Sequence, residues 1–142
     1  MKLPTLYHYT CDHSRAEITD TLLPARYLLS VKAFRSLGYT GQLLASFVWL
    51  TDLTPVTQLN AYKLGLDMVT LLCDRTRVRY RVTDPKGVVS WLDVREQWLS
   101  SGRHTDVIRE LELRPGAEPW RWFIKAAPVA VTLDMHRKEQ AS

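Results

Sequence analysis

The 142-residue sequence predicts an α+β fold of short strands and short helices, and three observations carry that expectation. First, strand-type alternation recurs at separate places: Leu6 and His8 against Tyr7 and Tyr9, Val78, Tyr80 and Val82 against Arg77, Arg79 and Arg81, and Trp120, Trp122 and Ile124 against Arg121, Phe123 and Lys125. Second, helix start and stop signals fall between these runs, at Ser14 and Pro24 and again at Ser90 and Gly102. Third, there is no internal repeat, low-complexity tract or dividing linker, so residues 1–142 read as a single domain. A chain of this size buries roughly two-thirds of its unfolded surface and needs neither metal nor disulfide to hold a core.

Taken in order, residues 3–10 form a buried strand. Ser14-Arg15-Ala16-Glu17 fits a capping box, Ile18 and Leu22 supply the apolar stripe of the helix behind it, and Pro24 stops it. Residues 25–42 mix Arg26, Lys32 and Arg35 with apolar residues and two glycines, and read as mostly loop. Residues 43–50 have the β-branched and aromatic content of a central strand, which Thr51-Asp52 ends. Thr54 then caps a helix with Pro55 at its first position, running to Gly65. Residues 69–73 form a short strand and residues 77–82 a longer one, followed by the turn Asp84-Pro85-Lys86-Gly87. Residues 90–101 form an amphipathic helix with Trp91, Val94 and Trp98 on one side, and residues 105–113 a second helical or mixed segment. A turn at 114–117 leads into two late strands, 120–125 and 128–133, and a charged tail expected to fray from about His136.

Composition excludes several classes. With 46% apolar and 24% charged residues the chain is not intrinsically disordered, and no apolar run approaches the roughly 18 residues of a membrane span. Met1-Lys2-Leu3-Pro4 lacks the apolar core of a signal peptide, so a cytoplasmic protein without a membrane partner is expected. Cys11 and Cys73 match no zinc or redox spacing, and His13, His104 and His136 match no metal-ligand spacing. There is no glycine-rich phosphate loop, nucleophile elbow or His-Glu-x-x-His. The net charge of +4 and the pI near 9.2 are compatible with an anionic partner such as a nucleotide or nucleic acid.

The most informative stretch is Leu6-Tyr7-His8-Tyr9-Thr10, followed by the capped helix and Leu22-Leu23-Pro24. It resembles the opening of the ADP-ribosyltransferase superfamily, whose DNA-modifying toxins and RNA 2′-phosphotransferases begin with a strand bearing a His-x-Thr motif, then a helix, then a Leu-Leu or Gly-Leu turn. The resemblance implies a pair of small packed β-sheets flanked by short helices, with a nucleotide cleft between them and NAD as the substrate. It implies that His8 holds the nicotinamide-side ribose and Thr10 the adenosine side, with Tyr9 between them. Residues two apart on a strand point the same way, so His8 and Thr10 can grip one ligand together. The plain alternative is a core histidine hydrogen-bonded at a strand end.

Trp49-Leu50-Thr51-Asp52 resembles the middle motif, a strand ending in hydroxyl residues that supports an aromatic platform for nicotinamide. Trp49 or a nearby Tyr would supply the ring and Thr51 the hydroxyl; equally, Trp49 fills the core and Thr51-Asp52 turns the chain. Arg75, Arg77, Arg79 and Arg81 stand two apart, on one face if they share a strand. Such a row binds a pyrophosphate, with Arg75 favoured at the strand entrance, tracks a nucleic-acid backbone, or is a solvated sheet face. The third motif departs from the family, whose transferases carry a glutamate near the start of a late strand to stabilise an oxocarbenium-like transition state. Arg121 and Trp122 occupy the corresponding positions, so either Glu118 or Glu112 is the catalytic carboxylate by a shifted geometry, or the fold is used without the usual acid, as the 2′-phosphotransferases use it with Arg and His. The expected function is an NAD-binding, ADP-ribosyltransferase-like enzyme that passes ADP-ribose to a macromolecule. The alternative is a non-catalytic nucleotide- or nucleic-acid-binding module of the same fold.

Overall fold

The computed structural model describes residues 3–11, 22–23, 47–64, 69–70, 73–112, 115–126 and 129–137. Residues 12–21 of the capping-box helix expected after Ser14, the loop at 25–42 and the tail beyond residue 137 lie outside these residues, while Leu22, expected in that helix, is in a strand paired with Ala130. Among the described residues the fold is α+β, dominated by one seven-stranded antiparallel sheet. The strands are β1 (Tyr7–Thr10), β2 (Leu22–Leu23), β3 (Phe47–Thr51), β4 (Val69–Thr70), β5 (Cys73–Asp74), β6 (Val78–Asp84), β7 (Val89–Ser90), β8 (Trp122–Ala126) and β9 (Val129–His136). The large sheet has the order β2-β9-β6-β1-β3-β8-β7, while β4 and β5 pair separately. The helices are α1 (Trp91–Ser101) and α2 (Thr105–Glu112), with single 3₁₀ turns at Ala61–Leu64 and Pro119–Arg121.

One joint in the sheet differs from the rest. β1 pairs with β6 at four successive positions from Tyr7↔Arg81 to Thr10↔Val78, and β3 pairs with β8 at five, but β1 meets β3 only at Tyr7↔Thr51. Beyond that pair the ladder stops. The sheet therefore consists of two well-paired portions, β2-β9-β6-β1 and β3-β8-β7, meeting at a single register point.

Strand alternation buries both faces. Tyr9, Trp49, Trp122 and Ile124 point to the side covered by α1 and α2, where they pack with Trp91, Trp98 and Ile108. Leu6, Val48, Leu50, Val78, Tyr80, Val82, Phe123, Val129 and Val131 form the core of the opposite face. The helix-side core is aromatic: the Trp91 ring is completely buried, 5.4 Å from both Trp49 and Trp98 and 6.4 Å from Trp122. α1 starts where the sequence predicts. The Ser90 hydroxyl accepts from the Leu92 amide, and Gly102, at φ 68°, ends the helix in the left-handed conformation that glycine adopts without strain.

Three expected elements differ. The described part of the helix expected at 54–65, residues 54–64, is not an α-helix: the Thr54–Pro55 peptide is cis, and only Ala61–Leu64 winds, as 3₁₀. Here side chains capture backbone groups in place of helical bonds. Asn60 Oδ1 accepts from the Thr57 amide at 2.7 Å, and Asn60 Nδ2 donates to the Pro55 carbonyl at 2.8 Å. The strand expected at 69–73 is two paired strands, with Val69 opposite Asp74 and Thr70 opposite Cys73. The arginine row is also broken. β6 begins at Val78, so Arg75 sits on a turn and only Arg79 and Arg81 belong to the strand. That turn forms because Asp74 Oδ1 accepts from both the amide (2.9 Å) and the hydroxyl (2.5 Å) of Thr76, whose side chain is fully buried.

Candidate functional site

His8 lies on β1, in the middle of the sheet, just past the single β1–β3 pair. Continuing that register would set Tyr9 opposite Trp49, and the Trp49 carbonyl would take a ladder bond. Instead the His8 imidazole fills the gap: Nδ1 donates to the Trp49 carbonyl oxygen at 2.8 Å. A carbonyl can only accept, so Nδ1 carries the ring proton and Nε2 is the acceptor of a neutral imidazole. Burial disfavours the charged ring, the Trp49 carbonyl works against that, and the positive charge of Arg75 adds to it. Together they lower the His8 pKa to about 4. At neutral pH the ring is uncharged, with its tautomer fixed.

Thr10 follows two residues on, buried, and opposite Val78 on β6. It shares the His8 face of the strand. Arg75 approaches from the turn before β6, and its guanidinium Nη1 is buried. Of the residues named from sequence, His8 and Thr10 thus share one face of the strand where β1 separates from β3, and the charge of Arg75 acts on His8. They combine a neutral acceptor, a hydroxyl and a permanent cation, which is the complement of a ligand carrying sugar hydroxyls and an anionic phosphate.

The other candidates sit elsewhere. The Trp49 and Tyr9 rings point to the helix side of the sheet, opposite His8. Trp49 is enclosed by Trp91 and Trp122, and the Tyr9 hydroxyl donates to the Leu53 carbonyl at 2.8 Å. Burial pushes the Tyr9 phenol pKa up. Trp49 is therefore the core residue of the two readings, a placement decided by strand parity: adjacent residues cannot face the same side. The Thr51 hydroxyl accepts from the Leu53 amide at 3.1 Å and shapes the turn after β3.

Of the two glutamates, Glu112 is a strut between the helices. One oxygen accepts from Trp91 Nε1 at 3.2 Å and the other from Arg95 Nε at 2.8 Å. Glu118 precedes β8 at the end of the sheet where Thr51 pairs with Trp122, and its carboxylate accepts from Arg121 Nε at 2.7 Å. Arg121 also reaches Asp52 at 3.4 Å. The roles separate under substitution: Glu112→Ala should lower stability by about 1–3 kcal/mol by leaving the Trp91 indole N–H unpaired, with ligand affinity unchanged. Urea unfolding and a ligand titration on the same sample check this.

Two features escape a reading of sequence alone. Arg79 is an anchor: Nε bonds Asp134 at 2.6 Å, Nη1 bonds Thr54 Oγ1 at 2.7 Å, and the guanidinium lies 5.0 Å from the Tyr7 ring centroid. Its partners lie 25 and 55 residues away, so no local spacing announces them. The second is Arg137, which closes over the Asp74–Thr76 turn from the end of β9. Among the described residues there is no cluster of His, Cys, Asp or Glu able to hold a metal ion, and no helix long and apolar enough to cross a membrane. No known protein family, curated protein or solved structure matches the chain.

Proposed function

We propose that this is a cytoplasmic, NAD-binding, ADP-ribosyltransferase-like protein, with the dinucleotide held where β1 parts from β3 and ADP-ribose passed to a macromolecular acceptor. The observation that carries the reading is the state of His8: buried and neutral, with Nδ1 committed to Trp49 and a guanidinium nearby. The two sheet portions are joined edge to edge in one seven-stranded sheet, where the resemblance implies a pair of packed sheets, so the reading rests on the opening beyond the single Tyr7↔Thr51 pair.

The residues fit such a ligand. His8 Nε2 accepts a ribose hydroxyl proton, a directional contact that a protonated imidazole would be unable to make. Thr10, about 7 Å further along the same face, offers a second hydroxyl contact. Arg75 matches the pyrophosphate with charge-assisted bonds. NAD itself supplies an ADP-ribose group attached to a cationic nicotinamide leaving group. Glu118 is the less committed of the two glutamates, because both Glu112 oxygens are engaged between helices, and is the candidate to favour positive charge on the ribose. Arg121 must release Glu118 for it to act in that way.

That last contact also favours the second reading, a non-catalytic nucleotide-binding module, in which the Glu118–Arg121 pair is permanent. The polynucleotide version gains less support, since the arginine row is interrupted and Arg79 is held by Asp134. Calorimetric titration with NAD tests the shared part: His8→Ala should weaken binding by about 1–3 kcal/mol while remaining folded, and equal affinity in the two proteins would remove His8 from the site. Incubation with labelled NAD and cell extract separates the readings. Label on protein or nucleic acid that disappears in Glu118→Gln identifies the transferase; binding without transfer identifies the module.

A further inference from the structure

Arg137 follows β9, more than sixty positions from the turn that carries Arg75, yet it holds that turn at three residues. Its amide donates to the Arg77 carbonyl at 2.8 Å, and its Nη2 donates to both Thr76 Oγ1 and Asp74 Oδ2, the latter at 3.5 Å. Gln58 Nε2 adds a bond to the same Asp74 oxygen at 2.9 Å. Burial raises the Asp74 carboxyl pKa, but the bonds from Thr76 and Gln58 and the charge of Arg137 outweigh it and hold the group below its ordinary value. Arg75 lies between the two residues that Arg137 grips. Thr76 is sealed in the interior and Asp74 is fixed through both oxygens, so the turn has no independent freedom to move the residue between them.

We infer that Arg137 is a positioning residue for the ligand site: by locking Asp74 and Thr76 from the end of β9, it fixes the turn that carries Arg75 and so the place of the Arg75 guanidinium. This rests on the proposal that His8 and Arg75 belong to one site. It gives the C-terminal strand a task beyond completing the sheet, since β9 pairs with β6 from Val78 to Asp84 and Arg137 continues that pairing onto the turn. The groups acting on His8 are the Trp49 carbonyl from β3 and Arg75 from the turn, with Tyr80 opposite it on β6. A displaced turn is therefore expected to register at the imidazole.

A double-mutant cycle on the full chain tests this, with two readouts: NAD affinity by calorimetry, and His8 titration followed by its imidazole NMR signals. Arg137→Gln should weaken NAD binding about fivefold, in the range of coupling through an intermediary, and should raise the His8 pKa in the same direction as Arg75→Gln. In the Arg75→Gln background, Arg137→Gln should change neither quantity further, because the group it positions is gone. Unchanged His8 titration in Arg137→Gln, or effects that add in full to those of Arg75→Gln, would overturn the proposal. If the wild-type protein does not bind NAD, the functional reading fails, while the positioning role is still decided by the His8 titration. Should Arg137→Gln not fold, Arg137→Lys supports the same cycle, since it retains the charge but loses the guanidinium that spans Asp74 and Thr76.

Discussion

Replacing Trp91 by alanine should destabilise the protein by about 3–5 kcal/mol, the range for deleting a fully buried large aromatic. Trp91 sits at the first position of α1 with no exposed surface and within ring contact of Trp49, Trp98 and Trp122. Three costs combine: the apolar area returned to water, the aromatic contacts to three neighbours, and a Glu112 oxygen stripped of its indole donor. A helix joined to the sheet through this cluster cannot easily collapse into the space left behind. Urea unfolding followed by far-UV circular dichroism measures the loss, and near-UV ellipticity should fall with it. Trp120, 58% exposed, is the control. Trp120→Ala should stay within about 0.5 kcal/mol of wild type, as surface substitutions do. Similar losses for both tryptophans would contradict the core described for the helix side of the sheet.

The second large effect is a pH dependence centred on His8. Its pKa falls from an ordinary 6.5 to about 4 on folding, first through burial and then through the charge of Arg75, against the pull of the Trp49 carbonyl. Above pH 6.5 the ring is neutral in both states and makes no difference. Between pH 6.5 and 4 the unfolded chain takes up a proton that the folded chain excludes, so stability is lost as pH falls. The full step is about 3 kcal/mol. His8→Gln keeps an amide that can donate to the Trp49 carbonyl but does not titrate. The expected result is a wild-type stability that drops across this interval and a His8→Gln stability that drops less by that amount. Asp74 titrates identically in both proteins and cancels in the difference. Parallel pH profiles would show that His8 is not buried as described.

Much of this arrangement is legible in the sequence, and the boundary of legibility has a physical origin. α1 is readable because its signals are local: Ser90 caps, Gly102 stops, and Trp91 and Trp98 are two turns apart. The faces of β1 follow from parity, which put His8 with Leu6 and away from Tyr7 and Tyr9. The segment after Thr54 misleads because its cap and proline are sound helix signals, whereas the bonds that Asn60 makes back to Thr57 and Pro55 compete for the same backbone groups. The arginine row misleads for a related reason. Spacing of two is a strand property only where a strand exists, and the Asp74–Thr76 bonds turn the chain before β6 begins.

The candidate site divides in the same way. His8 and Thr10 share a strand face by a rule that needs no tertiary information, and Arg75 could be named from its place at the entrance to a strand. Glu112 and Trp49 were chemically eligible, but tertiary packing commits both of them, one to Trp91 and Arg95, the other to the aromatic cluster. Arg137 carried no local signal at all, since its partners Asp74 and Thr76 come from a distant part of the chain.

The central claim is that His8 is a neutral hydrogen-bond acceptor for a ribose-bearing dinucleotide, and long-range ¹H–¹⁵N NMR of its imidazole tests that most directly. In the free protein at pH 7 the spectrum should show the Nδ1–H tautomer, set by the bond to the Trp49 carbonyl. On saturation with NAD, the Nε2 signal should move in the direction of an accepted hydrogen bond while Nδ1 stays in place. An imidazole that is protonated at pH 7, that holds its proton on Nε2, or whose signals do not move with NAD would contradict the account.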